Sequence, residues 1–248
     1  GDEYVLDGEK QWITNATRAG VAIVFAKAVP EDAAPGAGPE AVDGETVTQF
    51  LVPTDLDGFA VGEPEDKLGL RASDTAPITL DSVRIPAENR LTEEGRGLAA
   101  AFEILTSGRV GIAAQSVGLA EAALDDAVAY AQEREQFDGP IADIQTIRHK
   151  LAEMRTDLES ARLLTREAAR KLEAGTDDAA VAASMAKYTA SEAAMDVTNE
   201  AVQIHGGYGY VSEFDVERYY RDAKITEIYE GTTQIQKEIV ARHVLGEE

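Results

Sequence analysis

The first third of the chain carries short apolar runs that are separated by turn-forming residues. "VAIVFAKAV" and "TVTQFLVP" predict two strands, and "EYVLDGEKQWIT" predicts two shorter strands around Asp7-Gly8, which is a strong hairpin signal. "DKLGLRASDTAPITLDSVRIP" predicts two or three more strands. Because short strands with frequent turns are typical of closed or stacked sheets, this part is predicted to form a partial antiparallel β-barrel or sandwich.

The rest of the chain follows a helical pattern. Apolar residues spaced three and four apart give one face of a long helix, at Ile144, Ile147, Leu151, Met154, Leu158 and Ala161. Helices are predicted over residues 98–134, 140–174, 178–204 and 232–245, and Gly175 is predicted to end the second of them. Long helices with short connections predict an antiparallel four-helix bundle, so the fold class is α+β.

The distribution of proline marks the boundary between these parts. Seven of the 8 prolines lie before residue 97, and only Pro140 follows. We therefore predict a β domain over residues 1–92 and a helical domain over 93–248. The segment "AVPEDAAPGAGPEAVDGE" inside the β domain predicts a loop.

Composition narrows the class of protein. The net charge of −23 argues against binding to nucleic acid or to an anionic membrane, and it resembles the acidic surfaces of proteins from salt-accumulating organisms. The chain has 0 cysteines and 3 dispersed histidines, so neither disulfides nor a metal cluster are expected. We find no signal peptide, and expect a cytoplasmic protein.

One carboxylate stands out in "KITEIYEGTTQIQKEIV". Glu230 follows the apolar pair Ile228-Tyr229 and precedes Gly231 and a predicted helix start, where Thr233 and Gln236 fit a capping box. A carboxylate in partly apolar surroundings could act as a general base, and a helix N-terminus suits a phosphate. By spacing alone, an ordinary surface glutamate before an ordinary capped helix remains open.

Three further segments carry candidate ligand-binding residues. "QIHGGYGY" places three glycines in four positions after a helix, "REQFDGPI" joins two helices with Arg134 and Phe137, and "KQWITNA" holds the only tryptophan beside Thr14. Glycine permits close backbone approach to a ligand, and arginine offers a fork for phosphate. A helix cap with a loop, a plain connector and a core tryptophan are the ordinary alternatives.

Taken together and in this order, these segments resemble the acyl-CoA dehydrogenase family. The resemblance spans nearly all 248 residues, is closest to short-chain (butyryl-type) members, and is carried by "YVLDGEKQWITNA", "FLVP", "DKLGLRASDT", "GRVGIAAQSVGLAEAALDDAVAYAQEREQF", "PIADIQTIRHKLAEM" and "QIHGGYGYVSEFDVERYYRDAKITEIYEGTTQIQ". It implies an oxidoreductase of fatty-acid β-oxidation. The implied reaction is FAD-dependent desaturation of an acyl-CoA to the trans-2-enoyl-CoA.

The resemblance also implies roles for single residues. Glu230 matches the base that removes the α-proton, while family members with the base elsewhere place it near Gly108, just before Arg109. Arg109, Tyr229 and Gly231 match positions at the acyl-CoA site. The positions that match FAD contacts are Trp12, Thr14, Arg134, Gln136, Phe137, Gln203, Gly206, Gly207, Thr232 and Gln234.

Two departures from the family pattern stand out. The glycine expected after Phe137 is Asp138, with Gly139 next; Asp tolerates a left-handed turn better than most residues. The family's N-terminal helical domain, and a flavin-binding loop of the type Thr-Glu-Pro-x-Ala-Gly-Ser, are absent from these 248 residues. We therefore expect this chain alone to bind FAD poorly.

The resemblance further implies partners. It implies electron-transfer flavoprotein as the acceptor, and a homo-oligomer, usually a dimer of dimers, because Arg134 matches a residue that reaches a neighbouring subunit's FAD. Two alternatives stay open at this stage. One is an inactive or assembly-only member that needs a partner for the absent domain, and the other is an acyl-CoA oxidase.

Overall fold

The structure, a computed structural model, describes residues 2–29 and 47–247. It divides into two compact units, which we call the sheet unit (Gly1–Lys67 with Arg71–Ile104) and the helical unit (Leu68–Leu70 with Leu105–Glu248). The predicted proline- and glycine-rich loop lies almost entirely outside the described residues. The α+β class predicted from the sequence is confirmed.

The sheet unit contains two antiparallel sheets. One has the strand order β1-β5-β4 and the other pairs β2 with β3. The bounds are β1 Glu3–Thr14, β2 Val21–Lys27, β3 Val47–Pro53, β4 Phe59–Val61 and β5 Thr75–Pro86. Their buried apolar residues form a shared core, to which Leu6, Val24, Phe50, Val52, Leu80, Val83 and Ile85 contribute.

The hairpin predicted at Asp7-Gly8 is wrong. The segment forms the single 12-residue strand β1, which pairs along its length with β5, and the register shifts between Leu6 and Gly8. The Asp7 carboxylate accepts a hydrogen bond of 2.7 Å from the Ser82 backbone N–H. Between Leu6 and Gly8 two residues of β5, Asp81 and Ser82, lie opposite the single Asp7, so β5 forms a β-bulge here and the chain does not reverse at Asp7-Gly8.

The two or three strands predicted over residues 66–86 are also wrong, because β5 is one strand of 12 residues. Its interior Pro77 falls in the part of β5 beside the short β4, and the Pro77 carbonyl accepts from the Gly62 N–H beyond the end of that strand. A proline is tolerated where it need not donate a ladder hydrogen bond. The apolar alternation of β5 thus continues through a residue that sequence reasoning treats as a strand boundary.

Five α-helices follow among the described residues. They are α1 Gly97–Glu133, α2 Gln145–Ala174, α3 Ala179–His205, α4 Val216–Ala223 and α5 Thr233–Leu245. Between α1 and α2 lies a small hairpin of β6 Glu135–Gln136 and β7 Gly139–Pro140. The four predicted helices are present within a few residues, whereas the short α4 was not predicted.

The predicted apolar face of α2 packs inward. Met154, Leu158 and Ala161 are buried, and Gly175 ends the helix in the left-handed conformation with φ 62°. Alanines dominate where α1, α2 and α3 meet, and small side chains let helix backbones approach closely. Among the described residues, α1 is long and apolar enough to cross a membrane, a property that core helices of soluble bundles share.

Candidate active site and cofactor pocket

The turn that carries Glu230 has a left-handed backbone. Glu230 has φ 54° and Gly231 has φ 91°. A short 3-10 helix, Lys224–Glu227, precedes the turn and α5 begins directly after it. Since only glycine adopts this region freely, the glutamate is held there by its surroundings.

The capping box predicted for this helix is wrong. Thr232, not Thr233, is the N-cap, and its hydroxyl accepts from the Ile235 backbone N–H at 3.4 Å. Gln236 turns its amide toward the preceding turn, where it donates to the carbonyl oxygens of Glu230 and Gly231. The start of α5 is therefore hydrogen-bonded to the Glu230 turn through the Gln236 side chain, and not through the paired hydrogen bonds of a capping box.

The Glu230 carboxylate lies against α1 at Gly108. A β-carbon built on Gly108 would stand 2.6 Å from Glu230 Oε2, so any other residue there would displace the carboxylate. The next residue, Arg109, is only 5% exposed, and no hydrogen-bond partner for its Nε is found among the described residues. Burial lowers the pKa of the Arg109 guanidinium, while the charge of Glu230 opposes that shift.

Two buried side chains donate hydrogen bonds to the backbone of the Glu230 turn. The Lys187 ammonium donates to the Gly231 carbonyl oxygen at 2.7 Å, and Gln236 Nε2 donates to the same oxygen at 2.9 Å. Lys187 and Gln236 are both fully buried. Burial lowers the pKa of Lys187 to about 8, although the carboxylates of Glu227 and Glu230 act in the opposite direction.

Sequence reasoning missed Lys187 and Gln115, and it assigned Gln236 to a capping box and not to the Glu230 turn. Lys187 is the only lysine or arginine in the 27-residue, alanine-rich helix α3, so its isolation was an available signal of a buried cation. Gln115 accepts a hydrogen bond from the Tyr229 hydroxyl at 2.5 Å, and burial raises the pKa of that hydroxyl. No comparable local signal marked either glutamine.

A second group of predicted residues lies on the hairpin after α1. Phe137 and Asp138 have φ 56° and 70°, and together they form the two-residue loop between β6 and β7. Positive φ at both positions is the pattern of a type I′ turn, so Asp138 does take the left-handed conformation that the sequence required of it. The Phe137 side chain is 89% exposed at the tip.

A surface pocket of about 640 Å³ opens beside this hairpin. Arg134, Gln136, Gly206 and Gly207 line it together, with the ring of His205. His205 stacks on Tyr130 with 4.2 Å between ring centroids, and the Arg134 guanidinium lies 5.6 Å from the centroid of Tyr208. The pocket thus combines aromatic faces with a fixed cation, a combination that suits an anionic, ring-containing ligand.

The remaining predicted residues fall outside both groups. Gln203 and Gln234 are exposed, and neither lines the 640 Å³ pocket. Trp12 and Thr14 belong to the sheet unit. Trp12 is 67% exposed at a register shift of β1, with φ 62°, so it is not a core tryptophan, and Thr14 lines a separate pocket of about 290 Å³.

The helical unit thus supplies a pinned carboxylate beside a buried arginine, and a phosphate-compatible pocket. This pattern is typical of an enzyme site. Family models agree with that class. The acyl-CoA dehydrogenase middle domain matches residues 1–83, and the acyl-CoA dehydrogenase C-terminal domain matches residues 95–245. The chain belongs to the acyl-CoA dehydrogenase family.

Individual relatives agree with this assignment. The chain is 46% identical over 245 residues to the mitochondrial short-chain specific acyl-CoA dehydrogenase of Rattus norvegicus, covering 99% of this chain and 57% of that protein. Butyryl-CoA dehydrogenase from Megasphaera elsdenii is similar in structure, with a TM-score of 0.90 and 43% identity over 98% of this chain and 61% of that one.

A chain in a structure described as electron transferring flavoprotein of Acidaminococcus fermentans is also similar. It has a TM-score of 0.92 and 41% identity, over 99% of this chain and 62% of that one. The chain therefore spans about three fifths of the length of the relatives that it matches.

Proposed function

We propose that the protein catalyses FAD-dependent α,β-dehydrogenation of an acyl-CoA thioester to the trans-2-enoyl-CoA, with Glu230 as the base. The observation that carries this proposal is the position of the Glu230 carboxylate, on a pinned left-handed turn against Gly108. A base is effective when it is held within hydrogen-bond reach of its proton and its own rotation is limited. This turn provides such a restraint through the backbone.

Glu230 takes the α-proton, which the thioester carbonyl acidifies. Arg109 lies next to Gly108 in α1, where burial lowers the pKa of its guanidinium and the nearby charge of Glu230 acts in the opposite direction. Tyr229 is kept from rotating by its hydrogen bond to Gln115. The charge of Arg109 and the hydrogen-bonded pair of Tyr229 and Gln115 thus belong to the surroundings of the proposed base.

The donor set of the helical unit fits FAD. Arg134 offers a guanidinium fork for a pyrophosphate, Gln136 offers an amide, and Gly206 and Gly207 leave backbone close to any ligand in the 640 Å³ pocket. Phe137 presents an exposed ring for stacking. From the family resemblance we infer that FAD is also contacted by Thr232, Gln234 and Gln203 of the helical unit and by Trp12 and Thr14 of the sheet unit. When bound, FAD supplies the acceptor for the hydride that leaves the β-carbon.

The proposal extends to partners. From the family resemblance we infer a homo-oligomer in which the exposed Phe137 hairpin contacts FAD of a neighbouring subunit. We infer an electron-transfer flavoprotein as electron acceptor, and the similarity to a chain in the Acidaminococcus fermentans structure supports that choice. We also infer a cytoplasmic location.

The test uses protein expressed from its full reading frame. We expect a yellow flavin spectrum that butyryl-CoA bleaches under anaerobic conditions. Glu230→Gln should keep the colour and lose the bleaching, because an amide cannot accept the α-proton; the expected loss in rate is about 10²–10⁴-fold. Glu238→Gln, an exposed residue of α5 paired with Arg242, is the matched control and should bleach normally.

Two results would contradict the proposal. Bleaching that persists in Glu230→Gln would remove Glu230 from the mechanism, and protein without bound flavin would remove the cofactor. Reoxidation by air as fast as by an electron-transfer flavoprotein would favour an oxidase instead.

A further inference from the structure

Side chains from two helices donate hydrogen bonds to the Gly231 carbonyl oxygen. It accepts hydrogen bonds from Lys187 of α3 and from Gln236 of α5, at 2.7 and 2.9 Å. Gln236 also donates to the Glu230 carbonyl oxygen at 3.2 Å. The two peptide groups on either side of Gly231 are therefore both held by buried side chains.

These bonds determine where the Glu230 carboxylate points. Glu230 and Gly231 both have positive φ, a conformation that a glutamate leaves unless its neighbours prevent it. Rotation of either peptide group would swing the Cα–Cβ bond of Glu230 and move the carboxylate away from Gly108. The donors thus act on the carboxylate through the backbone, without touching it.

Burying the ammonium group of Lys187 at this position lowers the stability of the folded protein. The lysine side chain is fully buried, and a buried ammonium is stabilised only as far as partners replace its lost water. A methionine has a similar length and could occupy the same space without that penalty. Stability alone therefore favours an apolar residue at this position, so the lysine requires another explanation.

The charges around Lys187 point to the same turn. Glu227 and Glu230 favour its charged form, and Arg109 disfavours it. Glu227 itself pairs with Lys224, so it is not held by Lys187 alone. Lys187, in turn, donates a hydrogen bond to the Gly231 carbonyl oxygen, in the turn that carries Glu230.

We propose that Lys187 is a positioning residue that holds the left-handed turn of Glu230 through the Gly231 carbonyl, with Gln236 as its partner. The consequence for catalysis rests on the proposed function, whereas the consequence for the turn does not. Lys187 has no exposed surface, so it acts on the base and does not contact substrate.

The test replaces Lys187 by Met. Lys150→Met is the matched control, because Lys150 pairs with Glu200 between α2 and α3 of the same unit, in a part-buried position. Hydrogen–deuterium exchange is measured on both variants in the absence of substrate. In Lys187→Met we expect amides of residues 229–233 to exchange about tenfold faster, since one hydrogen bond to the turn is lost. Lys150→Met should leave these amides unchanged.

Kinetics provide the second readout. In Lys187→Met we expect kcat to fall by about tenfold or more while KM changes by less than about twofold, because a misplaced base costs rate and not binding. A general loss of structure would instead change KM, flavin content and kcat together. Lys150→Met should match the wild-type protein in all three.

Either of two results overturns the proposal: unchanged exchange at residues 229–233 in Lys187→Met, or an unchanged kcat alongside faster exchange. If Lys187→Met does not fold, Gln236→Leu and Lys187→Gln are tested by the same criteria. A wild-type protein without dehydrogenase activity contradicts the proposed function alone, and the exchange experiment then decides the role of Lys187 by itself.

Discussion

Two left-handed turns of the helical unit carry candidate functional side chains, and they are built differently. Glu230 and Gly231 are held by Lys187 and Gln236, which are fully buried. Phe137 and Asp138 form a two-residue loop that projects into solvent, with Phe137 89% exposed.

The difference shows how structure separates two tasks. A reacting carboxylate needs one orientation, so its turn is braced by side chains from two other parts of the chain. A ring that stacks on a ligand or partner needs exposure, and the two-residue hairpin loop supplies its own geometry. If buried hydrogen-bond donors distinguish the two turns, substitutions at the Glu230 turn should have larger effects than substitutions at the Phe137-Asp138 loop.

The largest expected effect is the pH dependence caused by Lys187. Its pKa is about 8 in the folded protein and 10.5 ordinarily, so between these values the unfolded chain binds more protons. Its contribution to stability is complete above pH 10.5 and is lost as the pH falls through 8. Between pH 7 and 10 wild-type protein should gain up to about 2.5 kcal/mol relative to Lys187→Met. Urea unfolding of both proteins measures this, and a pH-independent difference would contradict it.

The second prediction compares a glutamine-to-leucine substitution beside the Glu230 turn with the same substitution on the β6–β7 hairpin. Gln236→Leu should lower the free energy of unfolding by about 2 kcal/mol, because the carbonyls of the Glu230 turn lose a buried donor. Gln136→Leu, on the exposed hairpin, should change it by less than about 0.5 kcal/mol. Chemical denaturation measures both, and equal effects would erase the distinction between the turns.

The third prediction concerns the surface that the carboxylate faces. Gly108→Ala places a methyl group 2.6 Å from Glu230 Oε2, so the carboxylate must move and the dehydrogenation rate should fall about tenfold. Stability should not fall, because alanine favours a helix by up to about 1 kcal/mol over glycine.

Gly111→Ala is the control for Gly108→Ala, since it lies in the same helix with no atom within 4 Å of its built β-carbon. It should share the helix stabilisation and keep the rate. A slowed Gly111→Ala enzyme would mean that the helix itself, and not the carboxylate, is responsible.

The smallest effect is expected at the exposed turn. Asp138→Gly should stabilise the protein by about 0.5 kcal/mol, because glycine adopts φ 70° without the strain that a β-carbon causes. Thermal unfolding measures the change. A clear loss of stability would show that Asp138 is braced by contacts that the exposed position does not reveal.

Much of the fold was accessible from local sequence patterns. The spacing of Met154, Leu158 and Ala161 placed α2, and Gly175 ended it, because amphipathic periodicity and a left-handed cap act within a few residues. Strand pairing was less accessible. Asp7-Gly8 predicted a hairpin, and only the pairing of β1 along the 12-residue β5 in the tertiary structure showed that the strand continues through it.

The candidate site shows the same division. The segment "EIYEGTTQIQ" was sufficient to single out Glu230, and resemblance to a family gave it a role. The hydrogen bond from Lys187 to Gly231, however, joins residues 44 positions apart, and the contact of Glu230 with Gly108 joins the turn before α5 to helix α1. No local pattern predicts such pairings.

The sequence by itself determined the long helices, the family and the residue types that can do the chemistry. These follow from periodicity, from turn-forming residues and from the order of the motifs, all of which act over short distances. The tertiary structure decided which buried donors brace the carboxylate and which turn stays exposed. The physical reason is that a buried hydrogen bond depends on distant segments being brought together and water being excluded, which only the packed chain provides.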